Sequence, residues 1–227
     1  MQPVNIVTGD AWQGARSGAS VGILCMHPVR NPASDPSLQT RKETLIEGLR
    51  QRYQGYDRTT LRELPTLAAY HQFYRQFKKT YHLQLQLESI LSGKGIPSVA
   101  GLVEAMFMAE LEDHLLTAGH NLDSVHPPLV IDISDGTQTY TRMNGQTQTL
   151  KHGDLFIRDQ VGVLSSVIYG PDQRTRIQQD TQSVLFTTYG VPGITKDDLR
   201  VHLEKLQEYV CLISPDASVV QQEIVGS

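Results

Sequence analysis

His120, Asn121 and Asp123 are the residues whose types and spacing best suit chemistry. They lie in TAGHNLDSVHPPLVIDIS, residues 117–134, where a Gly-His pair follows a helix-like run and precedes Pro-Pro and an alternating apolar strand. An imidazole changes charge near neutral pH, so it can hold a water or move a proton. Turn chemistry explains the same composition, with Gly119 as a helix C-cap, Asn121 and Asp123 as turn formers and His120 on the surface. The residues alone leave both readings open.

Other patterns carry less. Gly18-Ala19-Ser20-Val21-Gly22 matches the G-x-S-x-G nucleophile elbow, but that motif needs a strand before it and a helix after it. Here an apolar strand follows and Pro28 ends it. Gly93-Lys94-Gly95 lacks both the Ser or Thr after the lysine and the spaced first glycine of a phosphate-binding loop, so it reads as a turn. His114, His120 and His126 are six residues apart and would not share a helix face, and no His-x-x-x-His set exists. Cys25 and Cys211 stand alone, which implies neither a disulfide framework nor a zinc knuckle. The sequence therefore predicts neither metal nor cofactor. Arg41, Lys42, Arg50, Arg52 and Arg58, followed by Arg62, Arg75, Lys78 and Lys79, make the first half locally basic with tyrosines interleaved. Phosphate contact and a solvated helix face balanced by Glu43, Glu47 and Glu63 both fit that pattern.

The elements that would position these groups follow from periodicity. Residues 4–7 and 19–26 read as strands, the second a continuous apolar run suited to burial on both faces. Pro28, Pro32 and Pro36 hold off regular structure until Ser37. Leu38, Leu45, Ile46, Leu49 and Tyr53 then share a helical face that ends near Gly55, and Leu67, Tyr70, Tyr74 and Phe77 spell a second helix. LQLQL, residues 83–87, alternates like a strand but also fits a helical stripe through Ile90 and Leu91, and we assign it to a helix. Pro97 suits a helix start, with Val99, Leu102, Val103, Met106 and Leu111 carrying the apolar face to about Leu116. Beyond Pro128, short strand candidates are separated by Asp-Gly, Asn-Gly and His-Gly-Asp turns. A last helix begins at Thr195 and Asp198, an N-cap and a first-turn acid. Residues 1–213 are expected to form one unit and residues 214–227 a loose tail.

With 227 residues the chain is long enough for a full core, and 39% hydrophobic with 19% charged residues is the composition of a soluble protein. No apolar run is long enough to cross a bilayer, so no membrane association is expected. Met1-Gln2-Pro3-Val4 shows no secretory leader, which predicts a cytoplasmic location. A formal charge of -4 argues against indiscriminate DNA or RNA binding.

The stretch SILSGKGIPSVAGLVEAMFMAELEDHLLTAGHNLDS resembles the tRNA-editing module formed by the third and fourth domains of the phenylalanyl-tRNA synthetase beta subunit, and more closely its stand-alone relatives. The shared order is a Gly-Lys turn, Ile-Pro, a helix beginning Val-x-x-Leu-Val, then Gly-x-x-Leu-Asp. Downstream, KHGDLFIRD looks like the family's Pro/Gly-Glu-Asp strand entry, and RTRIQQDTQSVLFTTYG like its Thr-rich turn feeding a strand. The resemblance covers roughly residues 70–210. It implies a mixed α/β fold, with a curved, largely antiparallel sheet and flanking helices. It also implies binding of an aminoacylated tRNA and hydrolysis of a mischarged ester in trans, with the oligomeric state left open. The family's editing histidine falls on His120, where it would orient a water or the ribose hydroxyl. Asn121 and Asp123 beside it, Met106 and Phe107 on the preceding helix, and Asp172 are carried over as substrate contacts. Arg41, Lys42, Arg50, Arg52 and Arg58 become the expected tRNA surface.

The chain departs from that pattern. The family's polar Thr-Asn pair falls near Met106-Phe107, and only Asp172 offers a carboxylate where the family reads the tyrosine hydroxyl, so tyrosine specificity does not carry over. Three functions therefore compete: a deacylase, a protein that keeps the fold and binds RNA or an amino-acid-like ligand without chemistry, and, far behind, a serine hydrolase through Ser20.

Overall fold

Two sheets and a layer of helices share one hydrophobic core that takes residues from Val4 to Ile213, on both sides of Pro127-Pro128. The computed structural model describes residues 2–15 and 18–226. In chain order the elements are β1 (Ile6–Thr8), α1 (Asp10–Ala15), β2 (Ser20–His27), α2 (Pro36–Arg52), α3 (Arg58–Arg62), α4 (Pro65–Gln76), α5 (His82–Leu91) and α6 (Gly101–Asp113). There follow β3 (Thr117–Asn121), a 3-10 turn (Leu122–Ser124), β4 (Leu129–Ile133), β5 (Thr139–Thr141), β6 (Thr147–Thr149), β7 (Leu155–Arg158) and β8 (Val163–Ser166). The chain continues through β9 (Gly170–Pro171), β10 (Val184–Gly190), α7 (Lys196–Ile213) and β11 (Ser218–Gly226).

The class is mixed α/β with flanking helices. One sheet runs β1-β4-β7-β8-β9 and the other β11-β2-β10-β3, with β5 and β6 as a separate hairpin. Every strand pairing among the described residues is antiparallel except β1 with β4. The strands of the second half do not form a sheet by themselves, because β2 from the first half sits between β10 and β11.

The helix signals hold where side chains dictate them. Leu38, Leu45 and Leu49 of α2 are buried, as are Leu67, Tyr70 and Tyr74 of α4 and Leu83, Leu87 and Ile90 of α5. Thr195 and Asp198 form a reciprocal capping box at the start of α7. The Asp-Gly, Asn-Gly and His-Gly turns place Gly136, Gly145 and Gly153 at positive φ.

Three expectations fail for physical reasons. Helix α6 starts at Gly101 rather than near Pro97, because its first free N–H groups find distant acceptors: Gly101 N–H donates to the Pro32 carbonyl (2.8 Å) and Leu102 N–H to Asn31 Oδ1 (2.9 Å). It also ends early, at Asp113, with His114 left-handed at φ 61, and the chain then enters β3 instead of a surface turn. The supposed loose tail carries β11, paired antiparallel with β2 from Ser218–His27 to Gly226–Ser20; Ser227 lies outside the described residues. Ser20 lies on the buried strand β2, and a Cβ on Gly22 would sit 3.1 Å from Leu203 Cδ1 of α7. Gly22 is therefore a close-packing position within a strand, and no nucleophile elbow forms.

Candidate functional site

Val103, Met106, Phe107 and Glu110 stand at i, i+3, i+4 and i+7 on α6, which brings them to one face of the helix. That face walls a cavity of about 270 Å³, closed on the other sides by the Leu116–Gly119 stretch, Ile177 and Tyr189. Gly119 is what allows the sheet to come this close. A Cβ there would lie 2.8 Å from Ile177 Cδ1 and 3.3 Å from Met106 Sδ. Its role is close packing, not a helix cap.

The one carboxyl on this wall is Glu110. Its Oε1 accepts the Thr117 backbone N–H at 2.7 Å, the one hydrogen bond the carboxyl makes among the described residues. Burial pushes the carboxyl up to about 8. Arg176, also on the cavity, is exposed and, among the described residues, donates only to the Gln173 carbonyl (3.1 Å). It also borders a shallower, more polar depression of about 370 Å³ lined by Thr139, Tyr140, Thr141 and Arg174. Arg176 thus lines both the apolar compartment and the polar one.

His120 is in neither compartment. It lies on β3 opposite Leu185 and is fully buried, with both ring nitrogens occupied. Nδ1 is 2.8 Å from Thr175 Oγ1 and Nε2 is 3.2 Å from Ser165 Oγ. The Thr175 hydroxyl donates to Asp172 Oδ1, so it accepts from an Nδ1–H, and the neutral ring then accepts the Ser165 hydroxyl at Nε2. Ser165 Oγ is in turn 2.7 Å from the Tyr189 hydroxyl. Burial, and after it the field of Arg174, depresses the imidazole to about 3. Neither reading of His120 holds, the surface turn residue or the imidazole that titrates near neutrality: it is a buried, neutral structural link, and it reaches the cavity wall through Ser165 and Tyr189.

Met106 and Phe107 do line the cavity. His120 and Asp172, distant in sequence, are brought within 4.0 Å and bridged by Thr175. Asp172 also lies 3.6 Å from Arg174 Nε, and burial raises its carboxyl. Asn121 and Asp123 do not reach the cavity: Asn121 Oδ1 accepts the Asp123 N–H at 3.3 Å and Asp123 is exposed. These two serve the turn.

The basic run is largely committed to the protein. Lys42 is 3% exposed and holds Glu104 Oε2 and Ser98 Oγ, each at 2.9 Å, so it cannot face a phosphate. Burial on the inner side of α2 overturns its assignment to an RNA surface. Arg58 grips Glu88 with two nitrogens, Arg50 donates to the Ile90 and Lys94 carbonyls, Arg41 lies over Tyr209 and Arg52 over Tyr53.

Sequence reasoning missed Glu110, Ser165, Thr175, Arg176 and Tyr189. Only Glu110 left a trace, as the lone acid in the apolar stripe of α6.

Neither a family model nor a curated protein matches the chain. Among solved structures it is similar to an N-terminal fragment of the phenylalanyl-tRNA synthetase beta subunit from Pyrococcus horikoshii, at a TM-score of 0.48 and 11% identity. The match covers 99% of this chain and 52% of that one, so the chain spans about half its length. At that identity the likeness is one of chain trace and says nothing of activity.

Proposed function

We propose that the chain recognises the aminoacyl end of a charged tRNA, taking the amino-acid side chain into the cavity between α6 and β3. The observation that carries this reading is the cavity itself: apolar walls from Val103, Met106 and Phe107, a buried carboxyl, and an exposed arginine on its lining that has no carboxylate partner among the described residues. Apolar enclosures with a few convergent polar groups are the usual form of small-ligand sites. The polar depression on the other side of Arg176 offers room for the nucleotide to which an aminoacyl group is esterified. The resemblance of residues 70–210 to an editing module supports the same substrate class. Arg41, Arg50, Arg52 and Arg58 are proposed as secondary backbone contacts.

The arrangement favours recognition over turnover. Hydrolysis of the ester in trans needs a base or a positioned water beside the acyl carbon, and the imidazole expected for that work is sealed behind Ser165 and Tyr189. A panel of correctly and wrongly charged tRNAs, scored for both retention on the protein and release of amino acid, tests the reading. Retention of charged over uncharged tRNA with no release supports recognition. Release that survives in His120→Gln would mean a deacylase with another catalytic group, and no retention of any charged tRNA would reject the proposal.

A further inference from the structure

Glu110 is a buried carboxyl on the lining of the apolar cavity. Helix α6 gives it the last place in a stripe whose other members are apolar, and the backbone of Thr117 fixes one of its oxygens. Thr117 is itself held, its hydroxyl lying 3.0 Å from Thr188 Oγ1 and 2.8 Å from His202 Nε2. The carboxyl therefore cannot swing away from the cavity without breaking a buried backbone hydrogen bond. No Lys, Arg or His is in ion-pairing contact with it among the described residues.

We propose that Glu110 recognises a primary ammonium group on an otherwise apolar ligand in this cavity, the α-ammonium of an aminoacyl group. The inference rests on the reading of the cavity as an aminoacyl site. A carboxyl left alone in an apolar enclosure is costly to ionise, and a ligand that brings a cation supplies the missing counter-charge where water is excluded. The apolar remainder of such a ligand meets Val103, Met106 and Phe107 on the same helix face. Arg176, exposed on the cavity lining, repels a second cation and pairs with an anionic group, which sets the ligand's orientation.

The groups facing Glu110 do not compete for that role. Tyr70 and Tyr74 from α4, Tyr81 before α5 and Tyr189 from β10 are all held neutral by burial. His82, at the start of α5, and Arg176 both line the cavity, and His202 of α7 stands behind Thr117, paired with Asp113 at 3.2 Å. Because burial raises the carboxyl to about 8 in the free protein, binding an ammonium at neutrality releases its proton. Affinity for an amine then rises about tenfold per pH unit up to about pH 8 and levels off above it.

The test uses two probes of equal size, 2-phenylethylamine and 2-phenylethanol, titrated into the full chain between pH 6 and pH 9. Binding is read from calorimetry and from the methyl resonance of Met106. Wild type should prefer the amine by about tenfold or more at high pH, the worth of a hydrogen bond to a charged group. Glu110→Gln keeps an acceptor for Thr117 N–H; it should lose both the preference and the pH dependence while still binding the alcohol. Equal affinity for both probes at high pH, or an amine preference retained in Glu110→Gln, overturns the assignment of Glu110 and leaves the cavity reading standing. Failure of both probes to bind at any pH overturns the cavity reading and this inference together. If Glu110→Gln unfolds, the rise of wild-type amine affinity with pH, absent for the alcohol, still decides the matter.

Discussion

Replacing His120 by alanine should destabilise the protein by about 4 kcal/mol, far more than a turn residue would. The ring is fully buried, and its loss strips one hydrogen-bond partner each from Thr175 Oγ1 and Ser165 Oγ. Both hydroxyls keep a second partner, Asp172 and Tyr189, so each stranded bond is set at the low end of its range, about 1 kcal/mol. The vacated space between β3 and β8 contributes roughly another 2 kcal/mol. Urea unfolding at pH 7, followed by both circular dichroism and tyrosine fluorescence, measures the loss. His120→Gln, which can preserve one of the two bonds, should recover part of it, and Asp123→Ala should change stability by less than about 0.5 kcal/mol. A loss below about 1 kcal/mol in His120→Ala would refute the buried-network account.

Lys42→Ala leaves Glu104 buried without its counter-charge and should cost about 3–5 kcal/mol in urea unfolding, with much of the loss recovered in the Lys42→Met, Glu104→Gln double variant. Glu110 binds a proton in the folded state up to about pH 8 but in the unfolded state only to about 4.5. Its contribution is therefore complete below pH 4.5 and is lost as pH rises towards 8. Melting temperatures followed from pH 6.5 to 8 should fall less steeply in Glu110→Gln than in wild type. Gly119→Ala places a methyl against Ile177 and Met106 and should cost about 1–3 kcal/mol while closing the cavity, read by unfolding and by loss of probe binding. Truncation after Ser214 removes β11 and bares the edge of β2, so light scattering should show self-association at concentrations where the full chain is monodisperse.

The elements legible in the sequence are those whose signal is local. The apolar stripes of α2, α4 and α6, the Thr195–Asp198 box and the glycine turns are written within a few residues of one another. What escaped reading depends on partners far along the chain. Strand β3 is five residues with a glycine at its centre, and it exists because β10 pairs with it at Ala118–Thr187 and His120–Leu185. Strand β11 reads as a polar tail because it lies half-buried at a sheet edge and takes its register from β2, almost the whole chain away. Lys42 looks like a surface cation until Glu104 arrives from α6. For the site, a helical stripe could announce Met106 and Phe107, whereas the burial of His120 follows from Ser165, Thr175 and Tyr189, none of which carries a pattern of its own.

The central claim is that the α6–β3 cavity holds the aminoacyl group of a charged tRNA. The measurement that tests it most directly compares the affinity of one tRNA in two forms, uncharged and carrying a non-hydrolysable amide-linked phenylalanine, at fixed salt. Wild type should bind the charged form tighter by about tenfold or more, given the burial of an aromatic side chain. Ala118→Phe, which fills the cavity from β3, should bind the two forms alike. Equal affinity for both forms in the wild-type protein would contradict the claim.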